Sequence, residues 1–339
     1  MRILYTPNCY SQQRQREKKR LIYPVLLAME CEKRKQEGHE VFWNINPNTR
    51  FYNVVDTKST CTLFATGFDK IISESEGLPF LTLPHPDRVF TRAKDYTSGN
   101  YKYLPGTHIM SASGCWHGKC SFCVEQGKSH EVRSPDDVRK ELFECGWEGY
   151  KEVFDDAATF NSEDRNWWFE MNNAVGAVNR QFGMRFSCNY RMVDDDYALM
   201  KLNGFRMLLF GLESSNQYTL DRINKGVKVE DVKYIIKAAK EGLDCHIAVM
   251  FGYEWEGDSE AINTLKLVHY LLRKGYAKTA QASFYQAQGE TSQEAHRKYI
   301  KRIYDVKYSP QFWFNQIKDI KNVDDLKYLW CKIKAGLER

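Results

Sequence analysis

The stretch RMLLFGLESSNQYTLDRINKGVKVEDVKYIIKAAKEGLDCHIAVMFG, residues 206–252, changes its apolar period twice. RMLLFGLE (206–213) is a continuous apolar run of buried-strand length. VEDVKYIIKAAKEG (229–242) spaces its apolar residues as a helix does and stops at a glycine. CHIAVMFG (245–252) is again a short apolar run. A connection this long between two such strands is a crossover and not a hairpin, so the strands are expected to run parallel.

The alternation extends to both sides. Upstream, HIMSAS (108–113), YKEVFDD (150–156) and RFSCN (185–189) read as strands. They are separated by helical stretches at 134–146, 162–180 and 194–204, the second with a capping start at Ser162. Downstream, a helix at 258–275 leads to AQASFYQ (280–286). Six strands alternating with helices predict an α/β fold, either a doubly wound sheet or a barrel. In both, functional groups collect at the C-terminal ends of the strands. The loop after residue 113, Asp155 and Asp156, Asn189 to Arg191, Glu213 and Gln286 all fall there.

With 339 residues, 42% hydrophobic and 27% charged, the chain has the composition of a globular protein. No apolar run approaches the roughly 18–20 residues of a membrane span. The N-terminal residues turn basic without an apolar signal segment, so a cytoplasmic location is expected. Lys and Arg outnumber Asp and Glu by 49 to 44, a mild excess that does not argue for a nucleic-acid partner. The basic run 14–20 is expected to be a solvated helix face.

Ten cysteines in a chain of this size do not suggest a disulfide framework. Seven are scattered singly and fit buried small side chains. Three are packed into SASGCWHGKCSFCVEQ (111–126), as Cys115, Cys120 and Cys123 in a C-x4-C-x2-C spacing. A redox disulfide, a zinc site or an iron–sulfur cluster could use them. Zinc needs a fourth ligand, for which His117, His130 and Cys145 are the candidates. Three thiolates suit a [4Fe-4S] cluster with one iron left open.

SGCWHGKCSFCVEQ, with EVRSPDDVRKEL after it, resembles the radical S-adenosylmethionine (SAM) superfamily, most closely the branch whose members often carry an N-terminal cobalamin-binding domain. The likeness continues through VFDDAATFN, CNYRMVDDDYALMKLNGFRMLLFGLESSNQYTLDRINKG and AAKEGLDCHIAVMFG, covering about 105–290. It implies a partial (βα)6 TIM-like barrel. The commonest loop in that family is one residue shorter between its first two cysteines. YEWEGD (253–258) and QAQGET (286–291) stand where relatives have proline-glycine turns.

The resemblance implies that Cys115, Cys120 and Cys123 hold a [4Fe-4S] cluster whose open iron binds SAM. One electron would cleave SAM to methionine and a 5′-deoxyadenosyl radical, which abstracts hydrogen from a substrate. Phe122 would lie beside the adenine. Glu213 would hydrogen-bond the SAM ribose or amine; its bland alternative is an ion pair with a loop Lys or Arg. Arg191 would neutralise the SAM carboxylate. Ser187 and Asn189 are expected at the same mouth if the strand alternates. Asp155 and Asp156 stand where relatives meet the SAM amine, and they serve substrate or cap the next helix equally well. Trp167 and Trp168 are expected to be helix-face packing. A flavodoxin- or ferredoxin-like reductant is implied as partner. The substrate, whether peptide, small molecule or RNA, is left open.

Residues 1–104 read as a small α/β subdomain and linker, 105–290 as the barrel, and 291–339 as a helical extension that packs, closes the open side or meets a partner. RILYTP and EVFWNI flank a helix at about 19–38, giving about two clear strands. That resembles a truncated cobalamin-binding domain, and D-x-H-x-x-G is absent. Cobalamin is therefore not expected. The rival readings are a cobalamin-dependent radical SAM methyltransferase and a zinc-binding interaction protein.

Overall fold

The structure is a computed structural model that describes residues 1–5, 24–43, 68–72, 75–96, 101–285, 297–318 and 320–337. Gln286, the QAQGET turn and the basic run 14–20 lie outside the described residues.

Strand β1 (Arg2–Tyr5) pairs in parallel with β2 (Glu40–Trp43) on one side and β3 (Lys70–Ile72) on the other. Three residues are too few for a periodic signal, so the sequence reading of about two strands missed β3. Helix α1 (Val25–Gln36) lies between this small sheet and the larger fold. Its Leu27 and Cys31 pack with Ile3, Tyr5 and Ile72, whereas Val25, Ala28 and Met29 belong to the main core.

The larger sheet opens with β4 (Gly106–Ile109). A two-stranded antiparallel neck follows, β5 (Ala112–Ser113) with β6 (Glu131–Val132). The expected strand 108–113 is thus two pieces, because Ser111 leaves the sheet to bond Asp155 through its amide, at 2.9 Å, and its hydroxyl, at 2.5 Å. After α2 (Pro135–Trp147) come β7 (Glu152–Asp155), α3 (Arg165–Phe182), β8 (Arg185–Tyr190), α4 (Tyr197–Leu202) and β9 (Phe205–Glu213). Then α5 (Gln217–Arg222), α6 (Val232–Lys240), β10 (Asp244–Phe251), α7 (Asp258–Lys274) and β11 (Thr279–Phe284) complete it. The six strands run in the order β11-β10-β9-β8-β7-β4, every neighbouring pair parallel. This is a partial TIM-like barrel.

Local signals set the helix ends. Ser134 caps α2 by accepting from the Asp137 amide at 3.2 Å, with Pro135 in the first turn. Asp164, not Ser162, caps α3, accepting from the Asn166 and Trp167 amides. Asp155 and Asp156 cap nothing. Trp167 and Trp168 are buried in the core, as expected of helix-face packing. No helix among the described residues is long and apolar enough to cross a membrane.

Two polar clusters fix the barrel. On the β4 side, buried Glu141 of α2 accepts from both Arg88 and Arg133. Arg88 also donates to the His108 carbonyl at 2.9 Å, and Arg133 to the Met110 carbonyl at 3.1 Å. At the N-terminal ends of the strands, buried Glu152 accepts from Ser187 (3.1 Å), Arg206 (2.7 Å) and the amides of Lys102 and Tyr103 (2.8 and 3.0 Å).

The C-terminal segment contains α8 (Arg297–Arg302), α9 (Pro310–Ile317) and α10 (Val323–Leu337). Tyr299 of α8 stacks on Phe251 at the C-terminal end of β10 and donates to Asp258 at the start of α7, whereas α9 and α10 pack along α7 and under the strand starts. Asn315 donates to the Arg273 carbonyl and Gln316 to the Lys278 carbonyl. In α10, Asp325 pairs with Lys102, and the Tyr328 ring lies 5.8 Å from the Arg206 guanidinium.

Burial alone would raise the Glu141 carboxyl, but Arg133 and Arg88 outweigh it and hold the group at about 2. Glu141→Gln leaves two buried cations short of charge and is expected to cost about 3–5 kcal/mol in denaturant unfolding. A depressed carboxyl stabilises the fold above its unfolded value of 4.5, and the contribution is lost as pH falls toward about 2. Acid titration of wild type should show that loss, and the Gln variant should lack it.

Candidate cofactor site

The neck of β5 and β6 presents the cysteine loop at the C-terminal end of β4. Gly114 starts the loop at φ +74°, and a Cβ there would stand 2.1 Å from the Ser129 carbonyl oxygen. Only glycine lets the outgoing and returning strands approach this closely. Inside the loop, the Cys123 amide donates to the Cys120 carbonyl and the Gly127 amide to the Gly118 carbonyl. The loop docks on the turn after α5: the Ser121 amide donates to the Ile223 carbonyl at 3.0 Å, and the His117 ring meets the Asn224 carbonyl at 2.9 Å.

Cys115, Cys120 and Cys123 are all free thiols. Cys120 is buried, and the other two are partly exposed. Burial raises the Cys120 thiol, Lys225 and Arg191 pull it back, and the two neighbouring cysteines push it up again, so the three thiols and two cations form one electrostatic group. Burial in turn lowers Arg191, opposed by the neighbouring Cys120 and Cys115. Arg191 also donates to the Lys225 carbonyl at 2.6 Å and stacks over Trp116 at 5.0 Å. It is therefore spent on the loop and the turn beneath it.

Glu213 ends β9 with φ +59°, a left-handed conformation uncommon outside glycine. Lys225 donates to its carboxylate at 2.7 Å. Gly211 makes room, since a Cβ there would lie 2.3 Å from the Glu213 carboxylate and 2.6 Å from the Lys225 nitrogen. Lys225 also lies 5.7 Å from the Phe122 ring. The bland alternative for Glu213, an ion pair with a loop lysine, is thus present, and it brings Glu213 and Phe122 to one cation.

Other expected residues go elsewhere. Ser187 faces the interior, but its hydroxyl bonds Glu152 at the opposite end of the barrel. Asn189 donates to the Ala157 carbonyl at 2.8 Å and shapes the loop after β7. Asp155 is fully buried and held by Ser111 and Ala157; burial raises its carboxyl to about 6 against those hydrogen bonds. Asp156, next to it, is exposed and stands 3.6 Å from His108.

The sequence reading missed Lys225, Trp116 and the turn after α5. The signal available was the run RINKG, a cation flanked by turn formers. It also missed Tyr253 and Glu256 after β10. Tyr253 is fully buried beside Glu213, and burial raises the Glu256 carboxyl to about 7.

The donor set distinguishes between metals. Among the described residues, no group of three or more His, Cys, Asp or Glu could hold a single metal ion. Zinc requires such a group. Of the proposed fourth ligands, His117 meets the Asn224 carbonyl and Cys145 is fully buried in the core, whereas His130 keeps a buried Nε2 without a hydrogen-bond partner but joins no such group among the described residues. A four-iron cluster spreads its thiolates over separate irons and is anionic, which suits three free thiols facing two cations.

The sequence profile of the Radical SAM superfamily matches residues 109–268. The chain carries a radical SAM domain. The match spans the strands β7 to β10 together with the cysteine loop. Solved structures similar to the chain include TsrM from Kitasatospora setae, a radical SAM methyltransferase with cobalamin and a [4Fe-4S] cluster bound (16% identity, TM-score 0.48, 62% of this chain and 37% of that one). Methylornithine synthase PylB is similar at 13% identity and TM-score 0.45, with 60% of this chain and 62% of that one covered. The cobalamin-dependent SAM radical enzyme OxsB gives 15% and 0.48, over 71% of this chain and 34% of that one. No curated protein matches.

Gly114→Ala is expected to leave the far-ultraviolet circular dichroism near wild type while iron retained after anaerobic reconstitution falls by at least about half, because the loop neck cannot close. Iron and sulfide analysis after gel filtration checks this.

Proposed function

We propose that the chain is an enzyme that cleaves SAM reductively and uses the resulting radical to abstract hydrogen from a substrate. The observation that carries this reading is the gathering of three free thiols with Arg191 and Lys225 at the C-terminal end of the first barrel strand, inside a radical SAM domain. When bound, a [4Fe-4S] cluster supplies one electron to the SAM sulfonium, delivered to it by a flavodoxin- or ferredoxin-like reductant.

Cys115, Cys120 and Cys123 would hold the cluster. Arg191 would balance its charge and pin the loop. Glu213 would take donors from SAM, the ammonium or the ribose diol, by exchanging part of its bond to Lys225. Phe122 would offer a flat apolar face to the adenine, and the Lys225 ammonium beside that ring would be released toward the SAM carboxylate. The buried aromatic rings of Tyr253 and Tyr285, 4.7 Å apart, would help keep water from the reacting end.

Cobalamin is left out of this reading because the given sequence contains no D-x-H-x-x-G stretch. The expected location is cytoplasmic.

Anaerobically reconstituted protein should hold about four irons and four sulfides. Cys115→Ala, Cys120→Ala and Cys123→Ala together should abolish the cluster and keep the fold. Dithionite-reduced protein should release 5′-deoxyadenosine from SAM, slowly without substrate. Stoichiometric zinc with no iron uptake would sink the proposal. Glu213→Ala should weaken SAM binding about tenfold by calorimetry with the cluster intact, the loss of one or two charge-assisted bonds. Hydroxocobalamin added to the loaded protein should separate from it on gel filtration; near-stoichiometric co-elution would make the methyltransferase reading the better one.

A further inference from the structure

We propose that the barrel lumen contains a substrate subsite in which Asp156 and His108 together take the protonated amine of an amine-bearing substrate. This rests on the reading of the chain as a radical SAM enzyme and names the substrate class for it. His108 lies on β4 with its ring against Phe154 of β7, at 5.2 Å, and against Tyr101, at 5.5 Å. Only 1% of the residue is exposed, and neither ring nitrogen has a hydrogen-bond partner among the described residues. The Tyr101 hydroxyl in the same cluster is likewise buried without a partner. Buried polar atoms are nearly always satisfied, so this group calls for a partner from outside the chain.

The ionic neighbour of His108 is Asp156, whose Oδ1 stands 3.6 Å from Nδ1. That gap is too long for a direct hydrogen bond. It is the right width for one donor group about 2.8 Å from each acceptor. Among the described residues Asp156 has no other ion-pair partner. The cations nearest the thiols are committed, Arg191 to backbone carbonyls and Lys225 to Glu213. An ammonium brings a compensating charge and three donors, enough for Asp156, Nδ1 and one further acceptor. A hydroxyl can bridge the pair only with Nδ1 carrying the ring proton, and it brings no charge to balance Asp156; a carboxylate is repelled by Asp156. Because Asp156 is exposed at the mouth while His108 lies beneath it, the amine enters from the side where the cysteine loop sits.

The test is calorimetric titration of the cluster-loaded full chain with n-butylammonium, n-butanol and butyrate. Wild type should bind butylammonium at least about tenfold more tightly than butanol and should not bind butyrate. D156N should lose about tenfold in butylammonium affinity, and H108Q should weaken it as well. No binding of butylammonium, equal affinity for the three probes, or an unchanged D156N would overturn the proposal and leave an ordered water as the partner of His108. Loss of SAM affinity in D156N with butylammonium binding intact would assign Asp156 to SAM and overturn it too. If H108Q does not fold, D156N at its exposed position carries the test. Iron and sulfide contents of the same samples report on the cluster separately, so failure of the amine subsite and failure of the radical SAM reading are distinguishable.

Discussion

Glu141 holds two arginines in the interior, and the rest of the site hangs on that arrangement. Arg88 comes from the segment before the barrel, Arg133 from the returning strand of the cysteine loop, and Glu141 from the helix behind them. Each arginine also donates to a carbonyl at the end of β4. One buried carboxylate thus fixes where β4 ends and where the loop comes back. A buried ion group of this kind is poor value as stabilisation, since well-packed apolar residues often do as well. Its use here is positional. Cys115 and Cys123 belong to a loop whose two ends Arg133 ties together below the β5–β6 neck, through its side chain to Met110 and through its amide to Ser111.

The six barrel strands were legible in the sequence because parallel strands covered on both faces are apolar throughout, and the helices between them keep a different period. The three cysteines were legible because their spacing is local. Depth along the barrel was not. Alternation tells which face Ser187 points to, and it does point inward, but it gives no level, and Ser187 serves the bottom of the barrel. Asp155 and Asp156 show the same limit in another form. Adjacent strand residues face opposite ways, so one is buried on Ser111 and the other reaches solvent, and the sequence offers no reason to choose between them. Lys225 escaped notice because its meeting with Glu213 depends on the empty Cβ position at Gly211, a tertiary coincidence with no periodic trace.

The other end of the barrel is closed by different means. Glu152 and Arg206 fill it with a satisfied polar cluster, and α10 lies below with Asp325 on Lys102 and Tyr328 on Arg206. The polar groups at the strand starts are thereby consumed by one another, whereas those at the mouth keep unspent atoms. The asymmetry matches the general division of such barrels into a stability end and a chemistry end.

The left-handed backbone at Glu213 sets stability and site chemistry against each other. An L-residue with a side chain is held there at a cost of order 1–2 kcal/mol, which glycine would not incur and asparagine would incur less. A screen that rewards thermal resistance alone would therefore drift toward glycine or asparagine at this position, and every step of that drift would discard the carboxylate facing Lys225. Libraries built to harden this chain should hold position 213 constant, because the gain in backbone ease would conceal the loss of the group.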